Sequence, residues 1–413
     1  MTLQVLQIAH DHPAYTRGGT EFLAHDLTSA LDATEGVRAR FLAATTSLQR
    51  PDDVPGALGM EGRDHLLRTG RYDRFSMLRH DGTDWIASLG RLLGSFRPDV
   101  VHLHGLDRIG AEVLAVLRRL APQARLVLTL HDYQILCPND GLMLTVPEGA
   151  RCRKAGQDSC RRCYPAMSAA AHLLRKAHLT ALLSMVDIFV APSRFLADRF
   201  VEWGLNAGRM TVLPNQVPAM VHPGRAPRAR PDRFAFFGNI SPHKGVLPLL
   251  AAARLAGDRV TLDLHGGLGH AEEAFRRSFA EALAAAPNAS HRGPYAREDL
   301  PALMNRADWV VLPSIWWENA PLVLLEARAA GVPVICSGIG GMAELVEHGL
   351  TGFHVPPGDD RALAEALCAA AEDPAGHARM AAAQRGRQGD DAHRGFVEAH
   401  LDIYRNLLEG ASA

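Results

Sequence analysis

The chain has 413 residues, too many for one ordinary core and suited to two domains. With 47% hydrophobic and 22% charged residues it has a globular composition, and 44 basic against 45 acidic residues leave a net charge of −1, which announces no nucleic acid or other polyanionic partner. No run of eighteen apolar residues offers a spanning helix, and the opening MTLQVLQIAH lacks the basic start and apolar core of a signal peptide. A cytoplasmic location is therefore expected, with the six cysteines as thiols or metal ligands rather than disulfides.

In chain order, short apolar runs alternate with longer segments of helical period, the pattern of a parallel sheet with crossover helices. The strand runs of the first half are 3–9, 37–44, 100–104, 125–130, 188–191 and 210–213, and helices are expected over 20–31, 85–96, 111–120 and 194–203. Residues 216–232 break the pattern with Pro218, Pro223, Pro227 and Pro231 among several arginines and read as a linker. The alternation then restarts with strands at 233–237, 260–265, 309–312 and 332–337 and helices at 246–256, 271–286, 300–307, 321–330 and 361–371. This is an α/β chain of two Rossmann-like doubly wound domains, residues 1–215 and 233–390, expected to face a central cleft. Residues 391–413 are expected to form a last helix that packs back on the first domain, a placement not readable from apolar spacing.

Residues 312–331, LPSIWWENAPLVLLEARAAG, carry the chemistry. A strand ends at Pro313, and Pro321 suits the first position of a helix. The free N–H groups of Leu322 and Val323 make that helix start an anion site. Glu326, one turn further in, can accept two hydrogen bonds from vicinal hydroxyls such as those of ribose. Glu318, before the helix, can hold a second polyol. Taken alone, two glutamates eight apart read better as solvated helix flanks.

The wider run decides otherwise. Pro313-Ser314, Glu318, Pro321-Leu322-Val323, Glu326 and Gly331-Val332-Pro333-Val334-Ile335, followed by Gly340-Gly341-Met342-Ala343-Glu344 and Gly349-Leu350-Thr351-Gly352, resemble the signature of family 4 retaining glycosyltransferases of the GT-B fold, the group 1 type. Phe237-Gly238-Asn239-Ile240-Ser241-Pro242-His243-Lys244-Gly245 is similar to that family's phosphate loop. Asn239 stands where the family often has arginine. Gly18-Gly19-Thr20-Glu21 resembles the loop used near the donor phosphates, and Thr129-Leu130-His131-Asp132 the strand end carrying the active-site histidine.

The resemblance implies retaining hexosyl transfer from a UDP-, GDP- or ADP-sugar to a hydroxyl acceptor: a lipid-linked glycan, a polysaccharide or a small molecule. His131, Glu318 and Lys244 become catalytic candidates. Donor binding falls to Gly18, Gly19, Asn239, Lys244, Arg292, Asn319, Ala320, Leu322, Val323 and Glu326, with Arg292 placed near the base. No Asp-x-Asp metal handle is present, so Lys244 and helix N–H groups are expected to meet the leaving-group charge with no cofactor required for catalysis. A sugar-nucleotide epimerase or hydrolase and a catalytically silent sugar-nucleotide-binding protein are the alternatives. His102 and His104 share one strand face, where packing and cleft lining are expected.

The stretch 137–165 is an insertion with four of the six cysteines. Cys137, Cys152, Cys160 and Cys163 are compatible with a structural Cys₄ zinc site, with unliganded thiols, or with an iron–sulfur site. Residues 151–176 hold seven basic residues against Asp158, and Leu173, Leu174, Leu179, Leu182 and Leu183 follow. Such a surface suits either peripheral contact with an anionic membrane or a solvated basic loop beside a core helix.

Overall fold

The computed structural model describes residues 2–16, 18–45, 58–80, 83–217, 228–269, 271–385 and 390–410. The chain divides into two compact units, Met1–Pro214 together with Gly395–Ala413, and Asn215–Arg394. Most of the proline-rich stretch, residues 218–227, lies outside the described residues.

The strands of the first unit are β1 (Leu3–His10), β2 (Val37–Thr45), β3 (Leu58–Glu61), β4 (Asp64–Arg68), β5 (Tyr72–Asp73), β6 (Leu78–Arg79), β7 (Val100–His104), β8 (Arg125–Thr129), β9 (Ile188–Ala191) and β10 (Met210–Val212). Eight of them form one sheet in the order β10-β9-β8-β7-β1-β2-β4-β3, while β5 and β6 make a separate hairpin. Every neighbouring pair in the large sheet is parallel except β3 with β4. All five residues of β7 are buried, as a parallel strand covered on both faces requires. From β1 the chain builds outward through β2 and then returns to β7 on the other side. The switch therefore lies between β1 and β7, and ligands of such sheets sit beyond the strand ends at that point.

The second unit repeats the plan with β11 (Arg233–Phe237), β12 (Thr261–His265), β13 (Ala289–Gly293), β14 (Trp309–Leu312), β15 (Val334–Ser337) and β16 (Gly352–Val355). Their order is β13-β12-β11-β14-β15-β16, all parallel, with the switch between β11 and β14. The loops after β11 and β14 carry Lys244 and Glu318, so topology alone brings these two segments together.

The helix Asp390–Glu409 belongs to the first unit over its second part. Phe396, Val397, Leu401 and Tyr404 share one buried cluster with Val5, Leu27, Val100 and Val127. Burying four such side chains stabilises the first unit by several kcal/mol, at about 1.5–3 kcal/mol for each large one.

Candidate active site

In the second unit the loop after β11 is pressed against two other loops by glycines. A Cβ on Gly266 would lie 1.8 Å from the carbonyl oxygen of Gly238, and one on Gly245 would lie 2.0 Å from that of Pro313. Gly245 also has φ +71°, which only glycine adopts without strain. The Ile315 N–H donates to the His243 carbonyl at 2.9 Å, locking the turn Pro242–Lys244 to the segment after β14.

The consequence is an ion pair. Lys244 Nζ lies 2.6 Å from Glu318 Oε1, which also accepts from Ser314 Oγ at 2.7 Å. Glu318 and Ser314 are buried. Burial would raise the Glu318 carboxyl, but the Lys244 charge and the hydrogen bonds from Lys244 and Ser314 outweigh it and hold the group below its ordinary value. The ammonium also lies 5.6 Å from the Trp316 ring centroid. His243 is lowered to about 4, first by burial and then by Lys244, so it is a neutral imidazole here.

Gly340 and Gly341 build the other wall. The Gly341 N–H donates to the Glu318 carbonyl at 2.9 Å, and a Cβ on Gly341 would sit 1.3 Å from the Asn319 oxygen. The next helix, Leu322–Ala329, starts after Pro321 with no side-chain cap, leaving its first N–H groups available to an anion. Ala320, Leu322 and Val323 are half-buried there, Asn319 and Glu326 are buried, and Asn239 is exposed. Tyr295 is a neighbour of Glu326, since its phenol is pushed up by burial and then by the Glu326 charge. Tyr295 meets Phe237 edge-on, with Phe237 stacked on His265 at 4.9 Å. Sequence reading missed this aromatic cluster, and Arg292 is not part of it. Arg292 is exposed and paired with Asp263 at 2.8 Å on the outer strands, because the edge strand β13 turns it to solvent.

In the first unit, Gly18 caps the helix Gly19–Asp32, and Glu21 reaches back to accept from the Gly18 N–H at 2.6 Å and the Thr16 hydroxyl at 2.5 Å. A Cβ on Gly18 would be 2.4 Å from the Glu21 carboxylate. His131 follows β8. Its Nε2 is 3.0 Å from His104 Nδ1, and its pKa is lowered to about 3 by burial, then by His10 and His400.

His102 and His104 are wholly buried, which corrects their expected part in lining a cleft. They belong instead to a hydrogen-bonded chain running through Gln7 and Tyr404, whose signal was invisible without the fold. His12 and His25 point their Nε2 atoms at Asp64 Oδ2, at 3.2 and 3.1 Å. Although the three converge like metal ligands, the Ala14 N–H donates to His12 Nδ1, so the proton of His12 is on Nε2 and that nitrogen is a donor to Asp64.

The four cysteines of the insertion are free thiols, all half-buried. Cys137 is pushed up to about 11 by burial, with small contributions from Cys160 and Cys152. Among the described residues the only group whose ligand atoms all lie within 4.8 Å of one another is His12, His25 and Asp64. Cys137, Cys152, Cys160 and Cys163 do not meet that spacing as a set. The basic stretch is divided in its burial. Arg175 is buried and donates to the carbonyls of Phe75, Ile135 and Gln134, and Leu179, Leu182 and Leu183 are core, while Leu173 and Leu174 are exposed on the helix Ala169–Leu183.

Residues 17–219 match the family described as Glycosyltransferase Family 4, and residues 223–388 match Glycosyl transferases group 1. The chain belongs to the group 1, family 4 glycosyltransferases. This glycosyltransferase acts on a nucleotide-sugar, and the epimerase and silent-binder alternatives are not favoured. It is 27% identical to a glycogen synthase of Mycobacterium tuberculosis over 408 residues, covering 94% of this chain and 91% of that one. A D-inositol 3-phosphate glycosyltransferase of Paenarthrobacter aurescens is 32% identical over 174 residues, 38% of this chain and 42% of the relative. Among solved structures, sucrose-phosphate synthase of Thermosynechococcus elongatus aligns with TM-score 0.73 and 20% identity over 99% of this chain and all of that one. Anabaena HepE in complex with UDP and glucose aligns with TM-score 0.67 and 20% identity over 99% of both. These two likenesses establish the GT-B fold.

Proposed function

We propose that this glycosyltransferase retains the anomeric configuration and needs no metal ion. The carrying observation is the Lys244–Glu318 pair, held at 2.6 Å beside an uncapped helix start. In this reading Lys244 and the N–H groups of Leu322 and Val323 meet the charge that grows on the departing diphosphate. Glu318 accepts from donor-sugar hydroxyls, Glu326 from ribose, and His131 faces the sugar. The acceptor oxygen bonds to the anomeric carbon on the face from which the diphosphate leaves, and its proton passes to that phosphate. HepE, captured with UDP and glucose, makes UDP-glucose the first donor to try.

The test is incubation with UDP-, GDP- and ADP-sugars, with and without acceptor extracts and with a chelator. Acceptor-dependent release of one nucleotide, a product of unchanged anomeric configuration, and full activity in chelator are expected. An absolute need for divalent ions, or inversion, overturns the reading.

The acceptor side of the proposal is a hydroxyl carried on a glycan, and a cytoplasmic enzyme touching anionic lipid fits its surface. No described helix is long and apolar enough to cross a membrane. Leu173 and Leu174 are exposed, as are Lys176, Arg161 and Arg162, a combination of apolar and basic groups suited to a headgroup layer. Flotation with anionic but not neutral vesicles supports this contact; equal behaviour with both removes it.

A further inference from the structure

The buried polar chain of the first unit has a direction. Gln7 Nε2 donates to the Tyr404 oxygen at 3.1 Å, which turns Gln7 Oε1 toward His104 Nε2 at 2.7 Å. An amide oxygen can only accept, so His104 carries its proton on Nε2. His104 is wholly buried, and burial is the first cause holding it neutral. Its Nδ1 must therefore accept, and the partner at 3.0 Å is His131 Nε2. On the far side the Tyr404 hydroxyl donates to His102 Nδ1 at 2.7 Å, and His102 Nε2 donates to Thr129 Oγ1 at 2.6 Å, so each donor in the run has an acceptor.

We propose that Tyr404, acting through Gln7 and His104, is a positioning residue that fixes His131 as its Nε2–H tautomer and so orients that imidazole. The effect on turnover rests on the role given to His131 above; the tautomer does not. The ordering group comes from the last helix and is separated from His104 by 300 residues of chain.

Long-range proton–nitrogen spectra of histidine-labelled full chain read the tautomer directly. His131 is expected as Nε2–H. In Gln7→Leu a second tautomer should appear and kcat should fall about tenfold through lost orientation, with the KM for nucleotide-sugar little changed. Gln7→Glu, which keeps an acceptor toward His104, should restore Nε2–H and most of the rate. If Gln7→Leu does not fold, Tyr404→Phe releases the amide while keeping the ring, and the same second tautomer is expected. An Nδ1–H tautomer in the unaltered chain, or an unmoved tautomer in both variants, overturns the proposal whatever the rate. A tautomer that moves while kcat does not supports the relay and overturns the sugar-facing role of His131.

Discussion

Lys244 and Glu318, 74 residues apart in sequence, form a 2.6 Å ion pair whose carboxylate is almost wholly buried. Removing one partner leaves a desolvated charge with nothing opposite it. Lys244→Met should destabilise the chain by about 3 kcal/mol, and Glu318→Gln added to it should restore most of that stability. Neither variant should recover turnover, which falls by a factor on the order of 10²–10³. Urea unfolding and initial rates measure the two effects separately. Because the Glu318 carboxyl is lowered from 4.5, the pair's contribution is present through neutral pH and is lost as pH falls through a value below 4.5.

A second pH effect has the opposite origin. His102, His104 and His400 are buried, and all three are lowered, chiefly by burial, His400 to about 4. Below 6.5 the unfolded chain takes up protons that the folded one refuses. Stability is therefore intact above 6.5 and falls with pH below it, by on the order of 1.4 kcal/mol per histidine per pH unit. The urea midpoint should drop between pH 6.5 and 4.5, and His400→Leu should flatten the slope. A midpoint constant across that window contradicts neutral burial.

Gly341→Ala places a methyl 1.3 Å from the Asn319 oxygen. The loop must part from Glu318, costing more than about 3 kcal/mol and abolishing the thermal shift given by a nucleotide-sugar. Gly349→Ala is the control: φ is +80° but nothing lies within 4 Å, so only backbone strain of about 1 kcal/mol is expected. Equal losses in the two variants would show that crowding at Gly341 is not what matters.

The insertion makes a chemical prediction. Thiols that are neighbours but not closed into a tetrahedron should titrate with a thiol reagent in reduced, native protein, Cys137 slowest because its pKa is pushed up to about 11. Stoichiometric zinc in purified protein, with these cysteines protected from the reagent, would show that the side chains close around a metal ion.

Strands buried on both faces announced themselves: 100–104, 188–191, 233–237 and 309–312 were readable to the residue because apolar runs end sharply there. The strand Asp64–Arg68 was not, since its charged ends mask three buried residues between them. Gly352–Val355 was missed because a glycine opens it, and that glycine is there to admit the Val334 carbonyl, 2.0 Å from where a Cβ would be. The Pro-Ser, Glu and Gly-Gly segments were legible from motif. Their mutual contacts were not, because the Lys244–Glu318 pair arises from strand order, with β14 lying beside β11 although β12 and β13 intervene in sequence. Gln7 and Tyr404 look like an ordinary strand amide and a helix aromatic until the sheet brings them together.

The shared cluster of Val5, Val100 and Tyr404 bears on how the protein is made. A ribosome delivers all of the second unit before it delivers Phe396 to Tyr404. The second unit can complete its core during synthesis, whereas the first must wait, with part of its sheet uncovered and the His104 chain unterminated, until the final helix emerges. A pause or frameshift late in translation would thus leave a finished second unit attached to an unfinished first one, a species for chaperones or proteases rather than an enzyme.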